Sequence, residues 1–392
     1  MITVLEAQQK IKNQTLPLQV ISLPLTDSLN YCLAEGIIAP VSIPLFNQSA
    51  MDGYAFNFED IKNSLKIVAE IPAGDNRDFH INKNEAIRIF TGSKVPNCCD
   101  TVVMQELTEV INNELHIKDE GLKIGGNIRT KGNQIEKGTI ALKKGTQINA
   151  GAIGFLSSLG LTTINVYQQP TITIIATGNE LVKPGSELLA GQIFESNTFM
   201  LKAALQQKGI DSQIIIVEDN QKTTELAIKE ALSNSDLLII SGGISVGDYD
   251  FVKESLENNN VKEVFYKVKQ KPGKPLYFGK TDSCSIYALP GNPAAALSCF
   301  YEYVNTSINI MMGNNKVNLP QLNLPINKTY TKKAGRANFL KAYTDFKTVT
   351  PLDGQGSDAL QAFSMANCLI YTTEEDTKIC EGTVVEIHLL PQ

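Results

Sequence analysis

The sequence predicts a multidomain α/β plus β protein. Three observations carry that expectation. The chain, at 392 residues, is too long for one hydrophobic core, so two to four domains are expected. A central stretch alternates apolar strands with helices, and the stretches on either side read as short strands and turns.

The elements follow in order. The first zone, 1–44, opens on a helix, because Thr3 and Glu6 have the spacing of a capping box. A short strand and a second helix stopped by Gly36 are expected next, and Pro40 and Pro44 mark a linker. Residues 45–144 alternate short strands with glycine and asparagine turns, as in "LTEVINNELHI", a hairpin around Asn112 and Asn113. They read as a small β domain. "NAGAIGFLSSLG" reads as a helix returning to the first zone, so 1–44 and 145–168 are expected to form one discontinuous helical and mixed domain.

From 169 to 316 the runs "TITIIAT", "SQIIIVE", "DLLIIS" and "SIYALP" are apolar and β-branched, with the length of buried strands. Between and after them lie three helical segments: "SNTFMLKAALQQKG" with Ser196 as N-cap, "TTELAIKEALSNS", and "NPAAALSCFYEYVNTSI". This alternation predicts a mostly parallel sheet covered on both faces. The last zone, 317–392, returns to strands such as "NCLIYTT" and "TVVEIHLL" and reads as a C-terminal β domain.

Composition bounds the function. With 43% hydrophobic and 19% charged residues the chain resembles ordinary globular proteins. A net charge of −6 argues against a general nucleic-acid binder, so any anionic ligand needs a local positive patch. No apolar run is long enough to span a bilayer, and the start lacks the pattern of a secretion signal. Seven cysteines, odd in number and without CxxC spacing, read as reduced thiols of a cytoplasmic protein. The three histidines lie far apart, and no zinc site is expected.

In an open α/β sheet, ligands bind beyond the carboxyl ends of the strands. Four polar loops fall there: "TGNEL" (177–181), "EDN" (218–220), "SGGISVGDYD" (241–250) and "LPGNP" (289–293). In the third, Gly242 and Gly243 allow a tight turn whose amides suit an anion, with Ser241 and Ser245 as hydroxyl donors. The same letters also suit a plain turn with Asp248 as a helix cap, although Asp250 then has no use, since one cap suffices. Lys267, Lys269 and Lys271 alternate as on one strand face, with Lys274 beyond a Pro-Gly turn. They read either as a lysine-protected edge strand or as an oxyanion clamp. "NQSAMDGYAF" is locally an Asp-Gly turn, Thr91-Gly92 of "RIFTG" ends a strand, and "KKAGRANFLK" reads as a solvated turn unless a pocket reaches it.

These segments are not independent. "NQSAMDGYA", "RIFTGSKVP", "VVMQE", "GFLSSLG", "ATGNELVKPG", "SGGISVGDYDFVK", "KPGKPLYFG" and "LPGNPAAAL" occur in one order. In them the sequence resembles the molybdopterin molybdenumtransferases, the family that inserts molybdate into molybdopterin and includes the C-terminal half of gephyrin. The resemblance implies an elongated four-domain homodimer with active sites between subunits and a third domain like the pathway's adenylating enzyme. The implied reaction takes adenylylated molybdopterin and molybdate to molybdenum cofactor and AMP, with Mg2+ as the usual divalent metal. Contacts with the pathway's adenylyltransferase and with molybdoenzyme apoproteins are implied, and no nucleic acid or membrane.

Carried over by position, Asp52, Thr91, Glu180 and Asp250 are the implied catalytic residues, with Asp52, Glu180 and Asp250 as metal ligands or water activators. The implied substrate-binding residues are Ser241, Gly242, Gly243, Ser245, Asp219, Lys267, Lys271, Lys274, Pro290, Pro293, Arg336 and Ser357. Three departures stand out: Asn133-Gln134 and Asn179 where the family commonly has carboxylates, and Lys341 where it often has arginine. Amides weaken a metal site, and a lysine cannot grip an oxyanion bidentately. Two rival functions use the same residues. An adenylyltransferase built on the central domain would not need the other three zones. A cofactor-binding or scaffold paralogue would keep the fold without inserting metal.

Overall fold

The computed structural model describes residues 1–218, 220–244 and 251–391. The chain divides into two compact units, one formed by 1–35, 145–150 and 163–392, the other by 36–144 and 151–162.

The larger unit opens on the helix Val4–Gln14, whose capping box is complete. The Thr3 hydroxyl accepts from the Glu6 amide at 3.2 Å, and the Glu6 carboxylate accepts from the Thr3 amide at 2.7 Å. The strand Val20–Pro24 pairs antiparallel with Thr163–Tyr167, so the chain leaves this unit and returns to it. The expected second helix is absent. Only one 3-10 turn, Leu25–Asp27, forms before Asn30 turns left-handed at φ 69°, after which Cys32 and Leu33 bridge to Gln147 and Val166. A left-handed residue cannot continue an α-helix, and the backbone beyond it is already bonded strand-fashion.

The central sheet has six strands in the order 212–217, 172–177, 237–241, 285–289, 277–280 and 262–266. The first four run parallel, and the last two are antiparallel hairpin additions. Ile172–Thr177, Leu237–Ser241 and Ser285–Leu289 are buried along their whole length, as unbroken apolar strands covered on both faces must be. Alternation then sorts the faces. Ile172, Ile174 and Ile239 pack with Leu201, Leu205 and Ala294, while Ile175, Leu238 and Ile240 pack with Ile228, Val252 and Leu256. The helix Asn197–Gln206 starts at Ser196, yet Ser196 makes no side-chain cap. The buried Glu195 carboxylate accepts from the Thr198 amide at 2.8 Å instead.

The alternating lysines do not share a strand face. The strand Lys262–Tyr266 ends where Lys267 adopts φ 69°, and Val268 then bridges to Ile2. Gln270–Lys271 pairs with a different sheet, alongside Ala337–Asn338. One left-handed residue turns the chain out of its pleat, so the two-residue alternation no longer applies. That second sheet runs in the order 270–271, 337–344, 368–372, 384–389 and 321–325, over a core that includes Leu340, Cys368, Ile370 and Ile387. The helix Pro293–Cys299 passes through a π-helical turn, Phe300–Val304, into Asn305–Met311.

The smaller unit holds a six-stranded sheet with a hairpin at Asn112 and Asn113, both left-handed at φ 50° and 67°, as a two-residue turn of this kind requires. Gly53 is not a turn glycine. It begins the strand Gly53–Phe56, where a Cβ would lie 1.8 Å from the Val103 carbonyl oxygen. Among the described residues no helix is long and apolar enough to cross a membrane, and all seven cysteines are free thiols.

Candidate functional site

A cleft of about 890 Å³ opens at the carboxyl ends of the parallel strands in the larger unit. Three of the four polar loops line it, through Thr177, Gly178 and Glu180, Ser241 to Ile244, and Pro290 to Pro293. Described residues of the "EDN" loop do not: Asn220 caps the helix Gln221–Asn234 by accepting from the Thr223 amide at 3.0 Å. The rest of the lining comes from Lys271 to Pro275, with Arg336, Ser357 and Asp358 of the C-terminal stretch. Asp219, Ser245, Asp248 and Asp250 lie outside the described residues.

The loops are tied to one another. Asn197 Nδ2 donates to the Ser241 hydroxyl and to the Gly291 carbonyl, each at 2.8 Å, which joins two strand ends. Asn292 Nδ2 donates to the Ser357 hydroxyl at 2.8 Å, and the Ala295 amide donates to the Ser357 carbonyl at 3.0 Å. Gly242 and Gly243 sit at φ 92° and 61°, and Cβ atoms there would meet the Thr177 carbonyl at 2.9 Å and Val252 Cγ2 at 2.6 Å. Both positions therefore require glycine, for backbone angle and for space.

Three cations, Lys271, Lys274 and Arg336, converge on this cleft in a chain of net negative charge. Lys267 does not line it; its ammonium lies 4.5 Å from the centre of the Tyr266 ring. Lys341 is not a solvated cation. It is 2% exposed, its ammonium donates to the Gly356 and Ala359 carbonyls at 2.9 and 3.1 Å, and burial lowers its pKa. Gln355 brackets the same residue, accepting from the Lys341 amide and donating to its carbonyl. Lys341 thus braces the loop that presents Ser357.

Asp52 and Thr91 belong to the smaller unit, where they meet. One Asp52 carboxylate oxygen accepts from the Thr91 amide at 2.7 Å and from its hydroxyl at 2.8 Å. These two bonds hold the Asp52 carboxyl below its usual pKa. Sequence reasoning missed Glu195, Asn197, Gln270, Asn292 and Asp358, all of which line the cleft. Asn197 and Glu195 were hidden in a segment that reads as an ordinary helix start.

A mostly parallel sheet covered on both faces, with glycines, hydroxyls and cations at its carboxyl edge, defines an α/β protein whose cleft lies where such sheets bind ligands. The comparisons with known proteins narrow that class. The MoeA N-terminal region (domain I and II) matches residues 2–160, a probable molybdopterin binding domain matches 173–309, and the MoeA C-terminal region (domain IV) matches 323–390. A molybdopterin molybdenumtransferase from Haemophilus influenzae is 34% identical over 100% of both chains. Another, from Staphylococcus epidermidis, is 34% identical over 99% of this chain and 95% of its own length. A crystal structure of a molybdopterin biosynthesis MoeA protein from Pyrococcus horikoshii is 26% identical, with a TM-score of 0.80 over 99% of each chain. The chain belongs to the molybdopterin molybdenumtransferase family, transferases of molybdenum cofactor biosynthesis.

Proposed function

We propose that this protein inserts molybdate into the dithiolene of adenylylated molybdopterin in the cleft at the sheet edge, releasing AMP and molybdenum cofactor. The observation that carries the reading is that Lys271, Lys274, Arg336 and Ser357 line the same cleft as the glycine turn of 242 and 243. Molybdate is a tetrahedral dianion, and lysine, guanidinium and hydroxyl donors supply charge-assisted hydrogen bonds to its oxygens. The Gly242 and Gly243 turn and Ser241 face the phosphate part of the substrate in this reading, while Pro290 and Pro293 shape the loop beside them. The dithiolene sulfurs belong to the substrate, so no cysteine is needed to ligate the metal being transferred. Matches across nearly the whole chain, rather than the central domain alone, favour this over an adenylyltransferase.

Magnesium belongs to the same proposal. Glu180 and Asp358 offer carboxylate oxygens at the cleft, of the hard type this ion takes. Magnesium is commonly held by one or two carboxylates together with substrate phosphates. When bound, magnesium neutralises pyrophosphate charge. Asp52, kept ionised by Thr91, is assigned to metal binding or water activation, as is Asp250. A four-domain organisation, a cytoplasmic homodimer and contacts with the adenylyltransferase and molybdoenzyme apoproteins complete the proposal.

Incubation of purified protein with adenylylated molybdopterin, magnesium and molybdate tests it. AMP release together with cofactor that activates a molybdoenzyme apoprotein is expected. AMP release without transferable cofactor would contradict it.

A further inference from the structure

Gln270, next to Lys271 in the chain, centres a buried polar cluster that the proposed reaction does not use. Gln270 is 0% exposed. Its Oε1 accepts from the hydroxyl of Tyr303, itself fully buried. Its Nε2 donates to the Gly273 carbonyl at 3.1 Å and lies 3.4 Å from the Cys299 sulfur. Because a carbonyl can only accept, the Gly273 contact fixes which end of the amide faces the loop. Gly273 sits directly on this support: at φ 86°, a Cβ there would come within 2.4 Å of Cys299 Sγ and 2.9 Å of Gln270 Nε2. The Val268 amide, donating to the Lys274 carbonyl at 3.0 Å, closes the loop on its far side.

Tyr303 reaches Gln270 from the π-helical turn Phe300–Val304, an irregularity that interrupts the helix begun at Pro293 on the cleft. Such turns recur at functional sites because they re-aim side chains that a regular helix would place elsewhere. Burial raises the Tyr303 pKa well above 10, so the hydroxyl stays a donor at neutral pH. An apolar pair would fill the same space without any amide or hydroxyl to satisfy. What the polar pair adds is geometry at Lys271 and Lys274, which flank Gly273 in the loop it grips.

We infer that Gln270 and Tyr303 are positioning residues that hold the Lys271–Lys274 loop in the form that binds the tetrahedral anion. This rests on the proposed reading of the cleft. The test measures KM for molybdate, kcat for AMP release and the melting temperature in wild type, Gln270→Leu, Tyr303→Phe and the double variant. Misplacing the two ammonium groups is expected to raise KM about tenfold or more, with kcat little changed. The double variant should match the worse single one, since both act through one bond. Tyr303→Phe removes one oxygen and keeps the ring packing, so it carries the test where Gln270→Leu does not fold. A lowered melting temperature with unchanged KM would overturn the inference and leave the proposed function standing. Wild type without molybdate-dependent turnover would overturn the proposed function itself.

Discussion

At the scale of single residues, the structure separates glycines needed for both conformation and space from one needed for space alone. Gly242, Gly243 and Gly273 all have positive φ beside the cleft. Gly53 does not. Its Cβ is forbidden by the Val103 carbonyl oxygen, and strands Gly53–Phe56 and Thr101–Met104 pair antiparallel at that point, so relief requires a backbone shift. Gly53→Ala is therefore expected to destabilise the protein by about 3 kcal/mol, the upper end of ordinary overpacking. Urea unfolding measures it, and a loss below about 1 kcal/mol would show that the strands can part cheaply. The letters "DG" suggested a turn here because neighbouring residues are all a sequence shows; the crossing strand that excludes a side chain is some fifty residues away. Lys341 teaches the same lesson. Read as a weakened oxyanion grip, it is a buried brace whose partners, Gly356 and Ala359, have no signature in a sequence.

At the scale of elements, the strands and helices of the central sheet were legible because buried apolar runs and helical periodicity are local. Two features were not. The π-helical turn inside "NPAAALSCFYEYVNTSI" leaves a pattern that still reads as one helix, and the left-handed Lys267 ends an alternation that the letters continue. The turn also holds Glu302, which is buried and ties the helix to the strand Val384–Leu389 through His388 Nδ1 at 2.7 Å. Burial alone would lower the His388 pKa. The Glu302 carboxylate, aided by Glu386 at 2.8 Å from Nε2, reverses this and raises it from 6.5 to about 9. A raised folded-state pKa means that the stabilisation is fully present below pH 6.5 and is lost as pH rises through about 9. The melting temperature should fall across that window. In Glu302→Gln the fall should flatten, and a slope equal to wild type would contradict the pairing. His388→Gln leaves a buried carboxylate without its partner and should cost about 3–5 kcal/mol.

At the scale of the whole molecule, eight short motifs in one order identified the family, although each alone is an ordinary turn or cap. Chemistry then limited which cations mattered. Of the lysines in 267–274, the structure brings Lys271 and Lys274 to the cleft and leaves Lys267 on an aromatic ring. The proposed homodimer belongs to this scale. Light scattering at micromolar concentration should give twice the chain mass of 42.8 kDa. If active sites form between subunits, mixing Asp52→Ala and Lys274→Ala proteins, assayed at molybdate too low for the Lys274→Ala protein to turn over, should restore part of the activity, because one of two sites then has both residues intact. A monomer, or a mixture that stays inactive, would remove that arrangement.

The central claim is that the cleft's lysines bind the anion being transferred, and the molybdate dependence of AMP-coupled cofactor formation tests it most directly. Lys269 is the internal control: Gln270 and Lys271, which follow it in sequence, line the cleft, while its own amide is bonded to the Ile2 carbonyl at 2.8 Å and its side chain is not part of the lining. Lys271→Ala and Lys274→Ala should each weaken molybdate binding by roughly 1.5–3 kcal/mol, about ten- to a hundred-fold in the half-saturating concentration. Lys269→Ala should leave it unchanged. Equal and small effects from all three substitutions would contradict the account, and would mean that the lysines only keep an edge of the protein in solvent.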